Sequence, residues 1–359
     1  MRPRTIGTTT TIAVLAWLSL AGDANAEMLL VGVAAPLSGP SATLGKQIEA
    51  GAGLAAAANG AQLKVVDDAC TADGGAAAAR EFVASKVGVV VGFLCTEAIE
   101  AALPILKDAN IPVITVGVRT ESLTDRRAKT GWPIFRLGPR GDDERNAVAF
   151  NLTRQWQNEL FAIIDDGTIY GREIAETLRA AAEQAALKPV FVDTFRPQLD
   201  NQIGLIGRLR KAGATHVFAG GDGEDIAIMG RDAGQLDAGI IFAGGEALRT
   251  APGDVPYAPG TLMFAPPEWA DVADSEVLES FAAQKIVPEG YTLPAYAAVE
   301  IAKAVTAETS GRPLADALAA HDFSTAIGPI RFDGKGDLTE NLYRVFRFNG
   351  ANFVPAEAK

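Results

Sequence analysis

The sequence predicts an α/β fold in two lobes, each a parallel sheet flanked by helices. Three observations carry this expectation. Strand-like and helix-like segments alternate along the chain. Several strands are apolar without interruption, as in Val-Gly-Val-Val-Val-Gly at 87–92, which suits strands covered on both faces. The alternation also runs in two series, separated by an irregular stretch at 116–132, and 359 residues exceed what one core supports.

The first series opens with a strand at 28–35, stopped by Pro36, and a Ser/Gly/Pro loop at 37–45. An alanine-rich helix follows at 46–58, then a strand at 63–66, a helix at 75–85, the strand at 87–92, a helix at 97–109 and a strand at 112–115. The second series sets helices at 142–156, 171–186, 203–212 and 225–233 among strands at 161–164, 190–193, 216–220 and 240–243. A strand at 262–265 crosses back, helices follow at 276–283 and 294–309, and 330–355 reads as turns and short strands. Asp333-Gly334-Lys335-Gly336-Asp337 is a turn cluster; it lacks the acidic spacing and closing glutamate of an EF-hand loop. In open parallel sheets, ligands sit beyond the carboxyl ends of the strands. Two facing lobes would therefore present loops 37–45, 94–98, 116–123, 168–171, 220–224 and 244–247 to one cleft.

Composition narrows the function. Arg2 and Arg4 precede an apolar run at 12–21 that closes on Ala24-Asn25-Ala26, the pattern of a secretory signal cleaved after Ala26. The run is too short to span a bilayer, which takes about 20 residues. The mature chain is thus expected outside the cytoplasm. There Cys70 and Cys95 are expected to form a disulfide, the alternative being two buried thiols. A net charge of −12 argues against a nucleic-acid partner. His216 and His321 have no cysteine or carboxylate at metal-ligand spacing. Counting leaves a Ser-His-Asp triad open, but no G-x-S-x-G elbow occurs. There is no P-loop, and Gly220-Gly221-Asp222-Gly223 is not a dinucleotide fingerprint. Acidic pairs such as Asp142-Asp143 single out no glycosidase couple. No metal, cofactor or enzymatic activity is expected.

The strand-end loops carry a resemblance. Ala35-Pro36-Leu37-Ser38-Gly39-Pro40 with Leu44-Gly45, Asp67-Asp68-Ala69-Cys70 and Gly92-Phe93-Leu94-Cys95-Thr96 stand in order. Phe135-Arg136 before Asp142, Tyr170-Gly171, Gly244-Gly245-Glu246, Tyr296-Ala297-Ala298 and Phe332-Asp333 with Lys335-Gly336-Asp337 complete the set. In order and spacing, across essentially the whole mature chain, these motifs resemble the periplasmic branched-chain amino acid binding proteins. Those are the solute receptors of ABC importers. The resemblance implies a type I periplasmic binding fold, a two-lobed Venus flytrap with three hinge crossings. It implies lobes of 27–140 plus 268–345 and of 141–267 plus 346–359.

The resemblance also implies a ligand site. Thr96 matches a hydroxyl residue that helps bind the ligand carboxylate, and Gly117 a backbone contact. Arg119 stands where a threonine is expected; a guanidinium fork binds a carboxylate more strongly than a hydroxyl. Tyr170 matches a wall aromatic, and Leu44 and Tyr291 two further wall positions. Asp222 stands where the family has an aromatic. Glu246 matches the acid that pairs with the ligand ammonium. Each position has a plainer reading too: a helix cap for Thr96, a solvent-facing Arg119, inter-lobe packing for Tyr170, a solvated Glu246, core packing for Leu44 and Tyr291. Together Arg119, Asp222 and Glu246 favour a polar zwitterion over a plain aliphatic, since unpartnered buried charges are costly, and Glu246 argues against an aromatic acid. The expected function is delivery of an amino acid or related small polar ligand to a membrane permease by a monomeric receptor. A periplasmic sensor, or a receptor for a short amide, urea or aromatic acid, is the alternative.

Overall fold

The computed structural model describes residues 29–250, 252–308 and 312–356. The expected signal at 1–26 lies outside them, as do Met28 and Thr309 at the ends of two expected elements. No helix among the described residues is long and apolar enough to cross a membrane.

Two sheets organise the chain. The first holds β1 (Leu30–Ala35), β2 (Gln62–Asp67), β3 (Val89–Gly92), β4 (Val113–Thr115) and β5 (Ile134–Arg136), all parallel, in the order β2-β1-β3-β4-β5. The second holds β6 (Phe161–Asp165), β7 (Phe191–Thr194), β8 (His216–Gly220), β9 (Ile241–Gly244) and β10 (Leu262–Ala265), which are parallel. A hairpin of β11 (Asp322–Thr325) and β12 (Gly328–Arg331) stands apart. The second sheet is then completed by antiparallel β13 (Arg344–Phe348) and β14 (Phe353–Pro355), giving β14-β13-β10-β9-β8-β6-β7. The chain therefore leaves the first sheet after β5, packs Phe281, Leu293, Ile301 and Leu318 against that sheet's core after β10, and rejoins the second sheet at β13. β13 begins at Arg344, slightly ahead of the boundary expected at 346.

The central strands of each sheet are buried on both faces, which explains their uninterrupted apolar runs. Along β3, Val89 and Val91 enter one core with Ile48 and Ile301, while Val90 enters the opposite core with Phe82 and Leu103. Along β6, Ala162 and Ile164 face one core and Phe161 and Ile163 the other. A strand with period-two side chains needs apolar residues at every position when helices cover both faces. Helix Ala42–Asn59 lies so close to helix Thr292–Glu308 that a Cβ on Gly51 would strike the Thr292 carbonyl.

Cys70 and Cys95 form a disulfide with Cα atoms 5.2 Å apart. Their loops follow β2 and β3, which flank β1, so the bridge ties two strand-end loops across the carboxyl end of β1. Closing a loop of 25 residues removes chain entropy worth about 3 kcal/mol from the unfolded state.

Candidate functional site

Between the sheets, at their strand ends, lies a cleft of about 440 Å³. Its floor comes from loop residues Val116, Gly117 and Arg119 after β4, and Gly138 and Pro139 after β5. The opposite wall is Glu246, Arg249 and Thr250 after β9, with Pro266 and Pro267 after β10. Trp269 and Tyr291 close it with two further prolines, Pro288 and Pro294.

Arg119 is held from behind. Arg136, at the end of β5, is fully buried and donates Nη1 to the Val118 carbonyl and Nη2 to the Thr120 carbonyl, each 2.9 Å away. It thus grips the backbone on both sides of Arg119. Its Nε donates to Asp337 Oδ1 at 2.9 Å, and Arg140 Nη1 donates to Asp337 Oδ2 at 2.6 Å. Burial pulls the Arg136 pKa below the ordinary guanidinium value, against the attraction of Asp337. Asp337 ends the turn at 333–337, whose geometry is set by Asp333 Oδ1 accepting from the amides of Lys335 and Asp337. The turn cluster expected from sequence is therefore the anchor of a loop that carries a cleft residue.

Across the cleft, Glu246 opens a short 3-10 helix, Glu246–Arg249, directly after β9 and Gly245. Side chains three apart in a 3-10 helix eclipse, so Glu246 and Arg249 share the cleft face. Arg119 Nη1 donates to Glu246 Oε1 at 2.7 Å, and the Tyr343 hydroxyl donates to Glu246 Oε2 at 2.6 Å. Tyr343 also accepts from Arg119 Nη1 at 3.2 Å. Burial works against the Arg119 charge, but Glu246 outweighs it and the pKa stands above the ordinary value. Burial and the Glu246 charge push the Tyr343 phenol up, so it remains a donor. Arg249 bonds Glu268 and the Pro266 carbonyl.

Beneath Glu246 sits Glu144, from the first turn of helix Asp143–Gln155. Its Oε1 accepts from the Tyr170 hydroxyl at 2.7 Å and from the Glu246 amide at 2.6 Å. Burial pushes Glu144 up to about 7, against both hydrogen bonds. Tyr170 is the second residue of helix Ile169–Gln184, whose start is fixed by Thr168 Oγ1 accepting from the Gly171 amide. A Cβ at Gly245 would collide with Glu144 Oε1 and the Tyr170 hydroxyl, so a larger residue there would displace this hydrogen-bonded pair.

Of the residues singled out from sequence, Gly117, Arg119, Glu246 and Tyr291 line this cleft. Tyr170 supports it through Glu144. Thr96 begins helix Thr96–Asp108, and its hydroxyl bonds that of Thr120 at 2.6 Å, beside Arg119 in sequence but off the cleft lining. Leu44 lies exposed in the first turn of helix Ala42–Asn59, also off the lining. Asp222 is exposed at the N-terminus of helix Gly223–Gln235 and does not join Arg119 and Glu246. Sequence reasoning did not find Arg249, Trp269, Glu144 or Tyr343. Arg249 and Trp269 follow strand ends, which is the signal that could have found them. Among the described residues, no group of His, Cys, Asp and Glu gathers as metal ligands.

The model of one family, described as "Periplasmic binding protein", matches residues 29–352. The chain belongs to the periplasmic binding protein family. A Leu/Ile/Val-binding protein homolog of Brucella melitensis is 28% identical over 96% of this chain and 98% of its own length. A leucine-, isoleucine-, valine-, threonine- and alanine-binding protein of Pseudomonas aeruginosa is also 28% identical, over 96% of this chain and 97% of its own. Among solved structures, a putative branched-chain amino acid ABC transporter protein from Rhodospirillum rubrum superposes with a TM-score of 0.76 at 19% identity, covering 92% of this chain and all of that one. It shares the fold of this periplasmic binding protein.

Proposed function

We propose that this chain is an extracytoplasmic receptor that holds a small carboxylate-bearing solute, an amino acid or a related acid, in the cleft between its lobes and delivers it to the permease of an ABC importer. The observation that carries the reading is the meeting of Arg119 and Glu246 across the cleft. Charged groups from the two sheets converge at one point, walled by Tyr291 and Trp269. The lobes are 27–140 plus 268–343 and 141–267 plus 344–359, and the receptor acts as a monomer in the periplasm after removal of residues 1–26. Arg119 binds the ligand carboxylate, Gly117 offers backbone contact, Tyr291 packs on the ligand body, and Glu246 fixes Arg119. Thr96 and Tyr170 sustain the two sides from outside the lining. Ligand completes contacts to the second lobe and shifts the population toward a closed state. A thermal-shift panel of amino acids, oxo acids, amides and aromatic acids on ligand-stripped mature protein tests this. A true ligand at 100 times its Kd adds about 2.7 kcal/mol and several degrees of Tm. A panel in which no carboxylate shifts the transition would contradict the reading.

A further inference from the structure

We propose that Arg119 supplies the cation of this site itself, so that the cleft selects a carboxylic acid lacking an ammonium group over the matching amino acid. The inference rests on the cleft reading above and names the ligand class within it. Four charged side chains line the cavity: Arg119, Arg249, Glu246 and Glu268. They are already matched. Glu246 receives Arg119 on one oxygen and the Tyr343 hydroxyl on the other, and Glu268 receives Arg249. Neither lining carboxylate lacks a guanidinium partner, so a ligand ammonium meets no free anion. The next acid inward, Glu144, is buried behind Tyr170 and the Glu246 amide. Its raised pKa makes it a poor counter-ion as well.

Donors, in contrast, are in surplus. Arg119 spends only Nη1 on Glu246 and Tyr343; its Nε and Nη2 have no acceptor among the described residues. Those two nitrogens form one edge of the fork, the edge a carboxylate takes with two parallel hydrogen bonds. Arg119 thus serves two carboxylates from two edges, its own Glu246 and the ligand's. An ammonium one carbon from that ligand carboxylate would be held against the Arg119 charge. Tyr291, Trp269 and five prolines supply flat apolar walls for a branched or ring-bearing ligand body.

Calorimetric titration of ligand-stripped mature protein tests this with two matched pairs that differ only in oxo for amine: 4-methyl-2-oxopentanoate against L-leucine, and phenylpyruvate against L-phenylalanine. The oxo acid should bind more tightly by about tenfold or more in at least one pair, with neither amino acid favoured. Arg119→Thr, checked for folding by its melting curve, should reverse the preference by freeing Glu246; Arg119→Gln gives the same test if the threonine variant does not fold. An amino acid bound as tightly as its oxo acid in both pairs, or more tightly in either, overturns the proposal, and so does a preference unchanged in the variants or no binding of any of the four. The cleft reading survives such a result where Tyr291→Ala abolishes whatever binding is seen. Binding that persists in Tyr291→Ala overturns the cleft reading itself.

Discussion

Glu144 stands out at the scale of single residues. Its pKa rises from the ordinary 4.5 to about 7 because it is buried. Between those values the folded chain keeps a proton that the unfolded chain has released. Its contribution to stability is therefore fully present below about pH 4.5 and is lost as pH rises through about 7. Glu144→Gln keeps an acceptor for Tyr170 and the Glu246 amide but removes the titration. Melting curves at several pH values from 5 to 8 should show a shallower fall in Tm with pH for the variant; identical slopes would mean that Glu144 does not titrate there. Glu144 was not legible in the sequence, since an acid in the first turn of a helix is ordinarily a solvated dipole partner. Arg119 and Glu246 were legible because each follows a strand at its carboxyl end. That they bond one another was not, because register between two separate sheets leaves no trace in local pattern. Asp222 shows the limit of position matching: it follows β8 as expected, yet stays exposed outside the cleft.

At the scale of elements, the apolar period was enough for β3, β6 and β8 and for the long helices. It failed for β5, where Ile134-Phe135-Arg136 is three residues long and ends on a charge. That charge is what the site requires, since buried Arg136 holds the Arg119 loop through the Val118 and Thr120 carbonyls. Helix Leu314–Ala320 and the β11–β12 hairpin also carry too few residues for periodicity to declare them. The turn at 333–337 was read correctly as a turn, but its role as partner to Arg136 and Arg140 spans some 200 residues of sequence and has no local signal. Removing one member of a buried ion pair leaves the other uncompensated, at a cost of about 3–5 kcal/mol. Asp337→Ala should therefore lower the denaturation free energy by roughly that amount and weaken ligand binding through the Arg119 loop. A stability change within about 0.5 kcal/mol, the range of an ordinary surface substitution, would remove Asp337 from the support of the site.

The whole molecule is two doubly covered sheets joined by three crossings, with the cleft at the strand ends of both. The two-series pattern made this architecture readable, because each lobe repeats the same strand–helix logic with its own core. The third crossing was readable only in part: it delivers Tyr343 to Glu246, and Tyr343 is set by its amide donating to Asn341 Oδ1 while Asn341 donates to the Asp143 carbonyl. Side chains from the first sheet's loops, the second sheet's loops and a crossing thus meet at one carboxylate. Calorimetric titration of the best carboxylate ligand against wild type and Arg119→Ala tests the central claim most directly. Affinity should fall at least about tenfold, or 1.4 kcal/mol, in the variant, with the melting temperature of the free protein little changed; unaltered affinity would place the ligand outside this cleft.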